Sequence, residues 1–513
     1  MKNVKKYVII GCMILLACMQ GFAQGYGETT TASRPMAQQT ANGPKYLFVF
    51  IGDGMSYPQV QSAVYYQGKD AAGIVDAVKS STNPADSPVA GSLSFTTFPV
   101  AGSAQTYDAT SFAPDSASTA TSIFTGHKTH SSSINVDITK KIPYRTIAEQ
   151  LRDQKGWKIG VVSTVNLNHA TPAATYAHQA SRKSNYPIGL ELVASNFDYF
   201  AGGALMEPQD KKGDKESIYD LAKKAGYTVC FTQKDASALK NGQKSLVIGE
   251  TIADAGSLSY DEDKKQGEWA LRDYVKKGIE VLDNPNGFFM MVEGGKIDWA
   301  CHANDARSTI ADTIALSDAV EEAIAFADKH PGETLILVTA DHETGGMTIG
   351  YAGTDYNLFF DTLKNQEISY AKFDSDYVAG YKKNKTSFDQ VMADVQRLFG
   401  LKKPGSEGSD KNGGLVLTDY EYGRIKDAYA KTMANDNSRT QAEYELYGTY
   451  EPLTVTITHI LNNKSGIGFT SYSHTGLPVP VFARGVGQDQ FAGYYDNTDI
   501  YRKMAALTGV VED

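Results

Sequence analysis

Five apolar, β-branched runs recur along the chain: YLFVFIGD at 46–53, WKIGVVST at 157–164, FFMMVEGG at 288–295, TLILVTADH at 334–342 and VPVFARG at 479–485. Continuous apolar runs of this length are expected for strands buried on both faces. Between them lie stretches with the period of an amphipathic helix: TIAEQLRDQ (146–154), EWALRDYVKKGIEVLD (268–283) and STIADTIALSDAVEEAIAFADKH (308–330). The alternation predicts an α/β fold, a mostly parallel central sheet with helices on both faces. From about 355 to 455 the pattern changes. This interval is rich in Tyr, Lys, Asp and Gly, with helical patches at 387–400 and 420–434 around the Gly/Ser-rich PGSEGSDKNGG at 404–414. It is expected to be a subdomain inserted within a catalytic domain spanning 44–513, with a mobile loop at 404–414.

The N-terminus, MKNVKKYVIIGCMILLACMQGFAQ, holds three lysines, an apolar run from Tyr7 to Met19 and the small-x-small site Gly21-Phe22-Ala23. That is the plan of a secretory signal peptide over 1–23, and its run is short for a membrane span. Residues 24–43, polar and rich in Thr, Ala and Gln, are expected to form a poorly ordered arm. Leu15-Leu16-Ala17-Cys18 is a looser match to a lipoprotein signal acylated at Cys18, which the bulky Leu16 makes the weaker alternative. The expectation is an exported protein, periplasmic or extracellular, with no membrane span. The formal charge of −10 becomes more negative still once Lys2, Lys5 and Lys6 leave. This argues against nucleic acid as a stable partner but leaves room for phosphate at a local cationic site. Of the four cysteines, Cys12 and Cys18 go with the leader. Cys230 and Cys301 are expected as free thiols, since a chain this long buries a core without disulfides.

Functional groups in open parallel sheets gather at the carboxyl ends of strands. Three of the apolar runs end in acids: Asp53 after the first, Glu293 and Asp298 after FFMMV, and Asp341 with His342 after LILVTA. Any one alone reads equally as a helix N-cap. Together with histidines at one edge they read as metal ligands. Asp298 and His302 are four apart, on one face of a helix, while His474 precedes the last strand and His169 follows an earlier one. Asp with His favours zinc, and Glu293 with a threonine hydroxyl suits magnesium. His127, His130, His178, His330 and His459 have no acidic partner at ligand spacing and are expected to be structural or exposed.

The stretch PDSASTATSIFTG (114–126) carries six hydroxyl side chains with no histidine and no nucleophile elbow. Alone it reads as a capped helix. The motifs FIGDGM, PDSASTATSIFTG, NHATPAATYAHQASR, VEGGKIDWACH, TADHETGG and SHTG nevertheless occur in the order, and mostly at the spacing, of alkaline phosphatases. The chain resembles that family over about 53–350 and 466–510, outside the insertion. The resemblance implies a first zinc held by Asp298, His302 and His474, and a second held by Asp53, Asp341 and His342. It implies a magnesium sharing Asp53 with Thr171 and Glu293, Ser116 as nucleophile and Arg182 as the grip on phosphate. Ser116 would then need no neighbouring base, because a bound zinc lowers its pKa. The other five hydroxyls are expected to pack and cap the helix, and Ser118→Ala to be near wild type. The resemblance also implies phosphate monoesters as substrates and a homodimer.

Two positions depart from the best-known bacterial pattern, which has aspartate at His169 and lysine at Trp299. Histidine at the first resembles animal members, and the His/Trp pair resembles a branch of bacterial ones. Both act beside the magnesium or the phosphate, so the third metal is expected to be held more loosely. Two rivals are a phosphodiesterase or nucleotide pyrophosphatase on the same metal core, and a catalytically dead binding protein. The presence of Arg182, Thr171 and Glu293 disfavours the first, and the complete ligand set disfavours the second.

Overall fold

The apolar runs form the middle of a ten-stranded sheet in a computed structural model that describes residues 43–69, 82–83, 87–411, 413–435 and 438–511. The expected leader, with Cys12 and Cys18, and all of the expected arm except Gly43 lie outside the described residues. The strands are β1 (Tyr46–Gly52), β2 (Val100–Gln105), β3 (Lys158–Asn166), β4 (Tyr199–Gly203), β5 (Thr228–Cys230), β6 (Ser245–Ile248), β7 (Phe288–Gly294), β8 (Thr334–Thr339), β9 (Val479–Gly485) and β10 (Gly493–Asp496). Their order in space is β10-β2-β9-β8-β1-β7-β3-β4-β6-β5. Nine strands run one way, and β9 alone opposes its neighbours β8 and β2.

Every residue of β1, β7 and β8 is buried, as continuous apolar strands in a covered sheet require. The cover is helical on both faces. Key helices are α1 (Ser116–Thr125), α2 (Lys296–His302), α3 (Ala306–Ala327), α4 (Phe388–Phe399), α5 (Asp419–Ala434) and α6 (Pro452–Ser465). Consecutive strand residues point to opposite faces. On β7, Phe288 meets Phe326 of α3 with ring centroids 5.3 Å apart, and Phe289 meets Phe124 of α1 at 6.4 Å. One strand is thereby sandwiched between two helices.

Among the described residues, 355–455 contribute helices and no strand. On α4, Val391, Met392, Val395, Leu398 and Phe399 form the buried stripe. On α5 the stripe includes Ile425 and Ala428, and α5 packs against α6. Cys230 and Cys301 are both buried and unpaired. No helix of the described residues is long and apolar enough to cross a membrane.

Candidate active site

Four adjacent strands deliver chemistry to one edge. In register, Ile51 of β1 stands beside Glu293 of β7 and Thr339 of β8, and Ser163 of β3 stands beside Glu293. Asp53 follows β1 directly and Asp341 lies two residues beyond β8, while His169 caps and Thr171 lies within the short helix Ala170–Ala173 after β3. Because β9 is antiparallel, its leading end lies at this same edge. His474 reaches the site from that direction, and the segment His474–Thr475 pairs with Glu343–Thr344.

Ser116 opens α1 and is 1% exposed, with its Oγ 3.1 Å from His342 Nε2. Asp115 is the N-cap, its carboxylate accepting from the Ser118 N–H at 3.2 Å. The helix N-terminus turns unsatisfied N–H groups and a partial positive charge toward an arriving anion. Of the other hydroxyls, Thr119, Thr121, Ser122 and Thr125 donate back to carbonyls of the preceding turn. Ser118 differs from these. Its Oγ is 2.7 Å from Asp108 Oδ2 and 2.9 Å from Asp115 Oδ1, so it braces the carboxylate that caps the helix. Near-wild-type turnover of Ser118→Ala is compatible with this structural role, and a loss of about 1 kcal/mol of stability is expected beside it.

The acids and imidazoles converge around Ser116. His342 Nε2 is 3.3 Å from both Asp53 Oδ1 and Asp341 Oδ2. His302 Nε2 is 3.4 Å from Asp298 Oδ1 and 3.1 Å from His474 Nε2, and His474 Nε2 is 3.6 Å from Asp298 Oδ1. Asp53, Asp341 and His342 can present one ligand atom each within 4.8 Å of one another, as can Asp298, His342 and His474, and Asp53, His169 and Glu293. The tautomers are set from outside. His302 Nδ1 and His474 Nδ1 each lie 2.6 Å from a carbonyl, of Tyr472 and Pro114 respectively, and carbonyls only accept. His342 Nδ1 lies 3.2 Å from Thr344 Oγ1, which donates to Asp298 Oδ1 at 2.5 Å. All three rings therefore turn a bare Nε2 inward, the form that binds a metal.

The residues fit cations on a second ground. Both oxygens of Asp53, Glu293 Oε1, Asp341 Oδ2 and Thr171 Oγ1 are buried without a hydrogen-bond partner. Burial pushes the Asp53 carboxyl well above its ordinary range, the Asp341 carboxyl up to about 8 and the Glu293 carboxyl up to about 7. Neighbouring carboxylates add to the shift at Asp53 and Asp341. Burying an ion unpaired costs several kcal/mol, a cost that a divalent cation among these oxygens removes. The Asp and His donors suit zinc, and the oxygen-only set of Asp53, Thr171 and Glu293 suits magnesium.

Arg182 stands at the mouth with Nη1 3.0 Å from Asp115 Oδ2 and Nη2 3.0 Å from His169 Nε2. Burial works against the Asp115 charge, but Arg182 and the Ser132 and Ser118 donors outweigh it and hold the carboxyl below its ordinary range. Burial, then Arg182, pushes the His169 imidazole down to about 3, so the ring is neutral. Trp299 meets His169 edge-on with centroids 6.0 Å apart. The other histidines do structural work: His178 contacts Glu149 and the Tyr144 carbonyl, His330 stacks on Phe326, and His127 stacks on Tyr144. His130 meets the Ser131 carbonyl, and His459 meets Asn304. Sequence reasoning missed Asp115 as the brace of Arg182 and Thr344 as the link between Asp298 and His342. It also missed Ser163, which donates to Glu293 Oε2. Only the position of Asp115 directly before Ser116 offered a signal.

Comparison with known proteins is concordant over nearly the whole chain. The sequence model of the family described as alkaline phosphatase matches residues 44–510. Alkaline phosphatase 4 of Bacillus subtilis (strain 168) is 32% identical over 467 residues, covering 88% of this chain and 86% of that protein. Alkaline phosphatase 3 of the same organism is 31% identical over 469 residues, covering 90% and 88%. Among solved structures, a cold-active alkaline phosphatase from the psychrophile Shewanella sp. is 28% identical with a TM-score of 0.71, covering 90% of this chain and 99% of that one. The alkaline phosphatase of Thermus thermophilus, 22% identical with a TM-score of 0.72 over 95% of this chain and 96% of its own, shares the fold. The edge where Ser116, the buried acids and the inward-facing imidazoles meet lies inside the matched span, and the chain belongs to the alkaline phosphatase family of enzymes.

Proposed function

We propose that the protein hydrolyses phosphate monoesters through a phosphoserine on Ser116, in a site that holds two zinc ions and one magnesium ion. The observation that carries this reading is the unpaired, buried state of the Asp53, Asp341, Glu293 and Thr171 oxygens around a serine at a helix N-terminus. Asp298, His302 and His474 would hold the first zinc, Asp53, Asp341 and His342 the second, and Asp53, Thr171 and Glu293 the magnesium. When bound, these ions supply Lewis acidity that lowers the pKa of the serine hydroxyl and of water and neutralises charge on the leaving oxygen. Arg182 receives two phosphate oxygens on its planar fork, held in place by Asp115. Ser116 Oγ attacks phosphorus in line. The new O–P bond forms as the ester O–P bond breaks, and the alcohol leaves with a proton. Water then cleaves the seryl phosphate, returning a proton to Ser116 and releasing inorganic phosphate.

The test is turnover of a chromogenic monoester against the matching diester. Steady release from the monoester with almost none from the diester is expected, because Arg182 and the third metal recognise an oxygen that a diester carries as a second ester. Preference for the diester would sink the reading. We further propose export by the N-terminal leader and a homodimer, the first from residues 1–23 and the second from family likeness.

His169 bears on the third metal. A neutral imidazole contributes no charge where an aspartate would, and a hard cation depends on charged oxygens. The purified enzyme is expected to carry zinc but little magnesium and to be activated by millimolar magnesium. The double change His169→Asp with Trp299→Lys should tighten magnesium by about 10 to 100-fold and reduce that activation. Stoichiometric magnesium surviving dialysis of the wild type, with no further activation, would count against it.

A further inference from the structure

The two imidazoles of the first ligand set are steadied differently. His474 leans on the carbonyl of Pro114, two residues before the first residue of α1. His302 leans on the carbonyl of Tyr472, which lies in neither helix nor strand. The peptides flanking Tyr472 are pinned by Gly345, whose oxygen accepts from the Thr470 and Ser471 N–H groups and whose N–H donates to the Ser473 oxygen. Tyr472 itself is held by its side chain. The hydroxyl donates to the Leu446 oxygen at 2.6 Å, and the ring stacks on Tyr450 with centroids 5.9 Å apart and on His459 at 6.0 Å, tilted 29° from each. Gly448 completes the grip. Its φ is +56°, and a Cβ there would stand 2.7 Å from the Tyr472 ring, so glycine lets the backbone run along the ring.

Leu446, Gly448 and Tyr450 belong to the 355–455 insertion, and His459 to α6 beyond it. A second tie runs in parallel. His459 Nε2 is 2.9 Å from Asn304 Oδ1, and Asn304 Nδ2 donates to the Cys301 and Ser471 carbonyls, both at 2.9 Å. The insertion thus grips the residue that orients His302.

We propose that Tyr472 is a positioning residue for the first metal and that the Leu446–Tyr450 segment of the insertion is its clamp, keeping His302 Nε2 aimed at the ion. The proposal rests on the reading of Asp298, His302 and His474 as zinc ligands. Removing the partner that orients a ligand histidine typically costs about 10 to 100-fold in metal affinity or activity, an upper bound here because a Tyr472 substitution keeps the carbonyl and removes only its anchor. Zinc release from the full-length, zinc-loaded enzyme into a chromogenic chelator, with zinc per chain counted by mass spectrometry, tests it. Tyr472→Ala is expected to release one ion about 10 times faster, and no more than about 100 times, while the other leaves at the wild-type rate, and saturating zinc should restore kcat to within about twofold. Tyr472→Phe keeps the stack and loses one hydrogen bond, so about fivefold acceleration of the same ion is expected. If the alanine variant does not fold, the phenylalanine variant decides alone. Wild-type release rates in the folded variants overturn the proposal, as does equal acceleration of both ions with a lower unfolding midpoint. A wild-type enzyme that binds fewer than two zinc ions overturns the metal reading itself, an outcome distinct from both.

Discussion

Ser116→Ala is expected to lower kcat by at least about 10³-fold while zinc per chain stays unchanged. The hydroxyl is the one oxygen at the start of α1 aimed at the imidazole and carboxylate cluster, 3.1 Å from His342 Nε2, and no other side chain of α1 is placed to replace it. On the proposed reading, removing it deletes the atom that would form the covalent bond and leaves Asp53, Asp298, Asp341 and the three histidines intact. Ser118→Ala is the contrast. It removes a brace from Asp108 and Asp115, so about 1 kcal/mol of stability and less than about tenfold in rate are expected to go. Comparable rate losses in the two variants, with zinc retained in both, would place the nucleophile elsewhere.

Stripping the metals is expected to abolish turnover and to destabilise the fold in a pH-dependent way. Without cations, burial raises Glu293 to about 7 and Asp341 to about 8, against about 4 in an unfolded chain. A carboxyl raised on folding binds more protons in the folded state, so its contribution is full below about pH 4 and is lost as pH climbs through 7 to 8. The stripped protein should therefore weaken steadily from about pH 5 to pH 8.5. In the metal-loaded enzyme the same carboxylates, as the proposed ligands, would have no proton to lose. The gap between the two melting temperatures should widen with pH, and free zinc at a thousand times its dissociation constant should contribute about 4 kcal/mol. Calorimetry with and without a chelator at pH 5 and pH 8 measures it. A gap that is constant or narrows at pH 8 would show that these carboxyls do not bear the metal.

What the sequence made legible follows from where burial is severe. β1, β7 and β8 are buried along their whole length and had to be apolar throughout, so their runs stood out. β2 (VAGSAQ) is partly exposed, and β4 (YFAGG) and β5 (TVC) are short or glycine-rich, so none shows a run. The acids were visible because each follows a strand that could be seen. The hold of Asp115 on Arg182 and of Thr344 on Asp298 were not, since each joins residues far apart in sequence through a single hydrogen bond. Arg182 lies in a loop with no periodicity around it, and only the ordered motifs of a family picked it out.

The reversed strand β9 has a consequence for how the protein matures. Because it runs backward, the sheet edge that holds Asp53 is completed by His474, which follows His302 by 172 residues. Synthesis delivers residues N-terminus first, at about 5 to 20 per second, so Asp298 and His302 emerge well before their third partner exists. A chain that has not yet reached His474 would offer the proposed first ion two ligands. On the proposed ligand sets, the first metal site would therefore be completed only once His474 has emerged, later than the set of Asp53, Asp341 and His342. A protein that crosses a membrane unfolded would load its zinc only on the far side, from whatever supply that compartment holds.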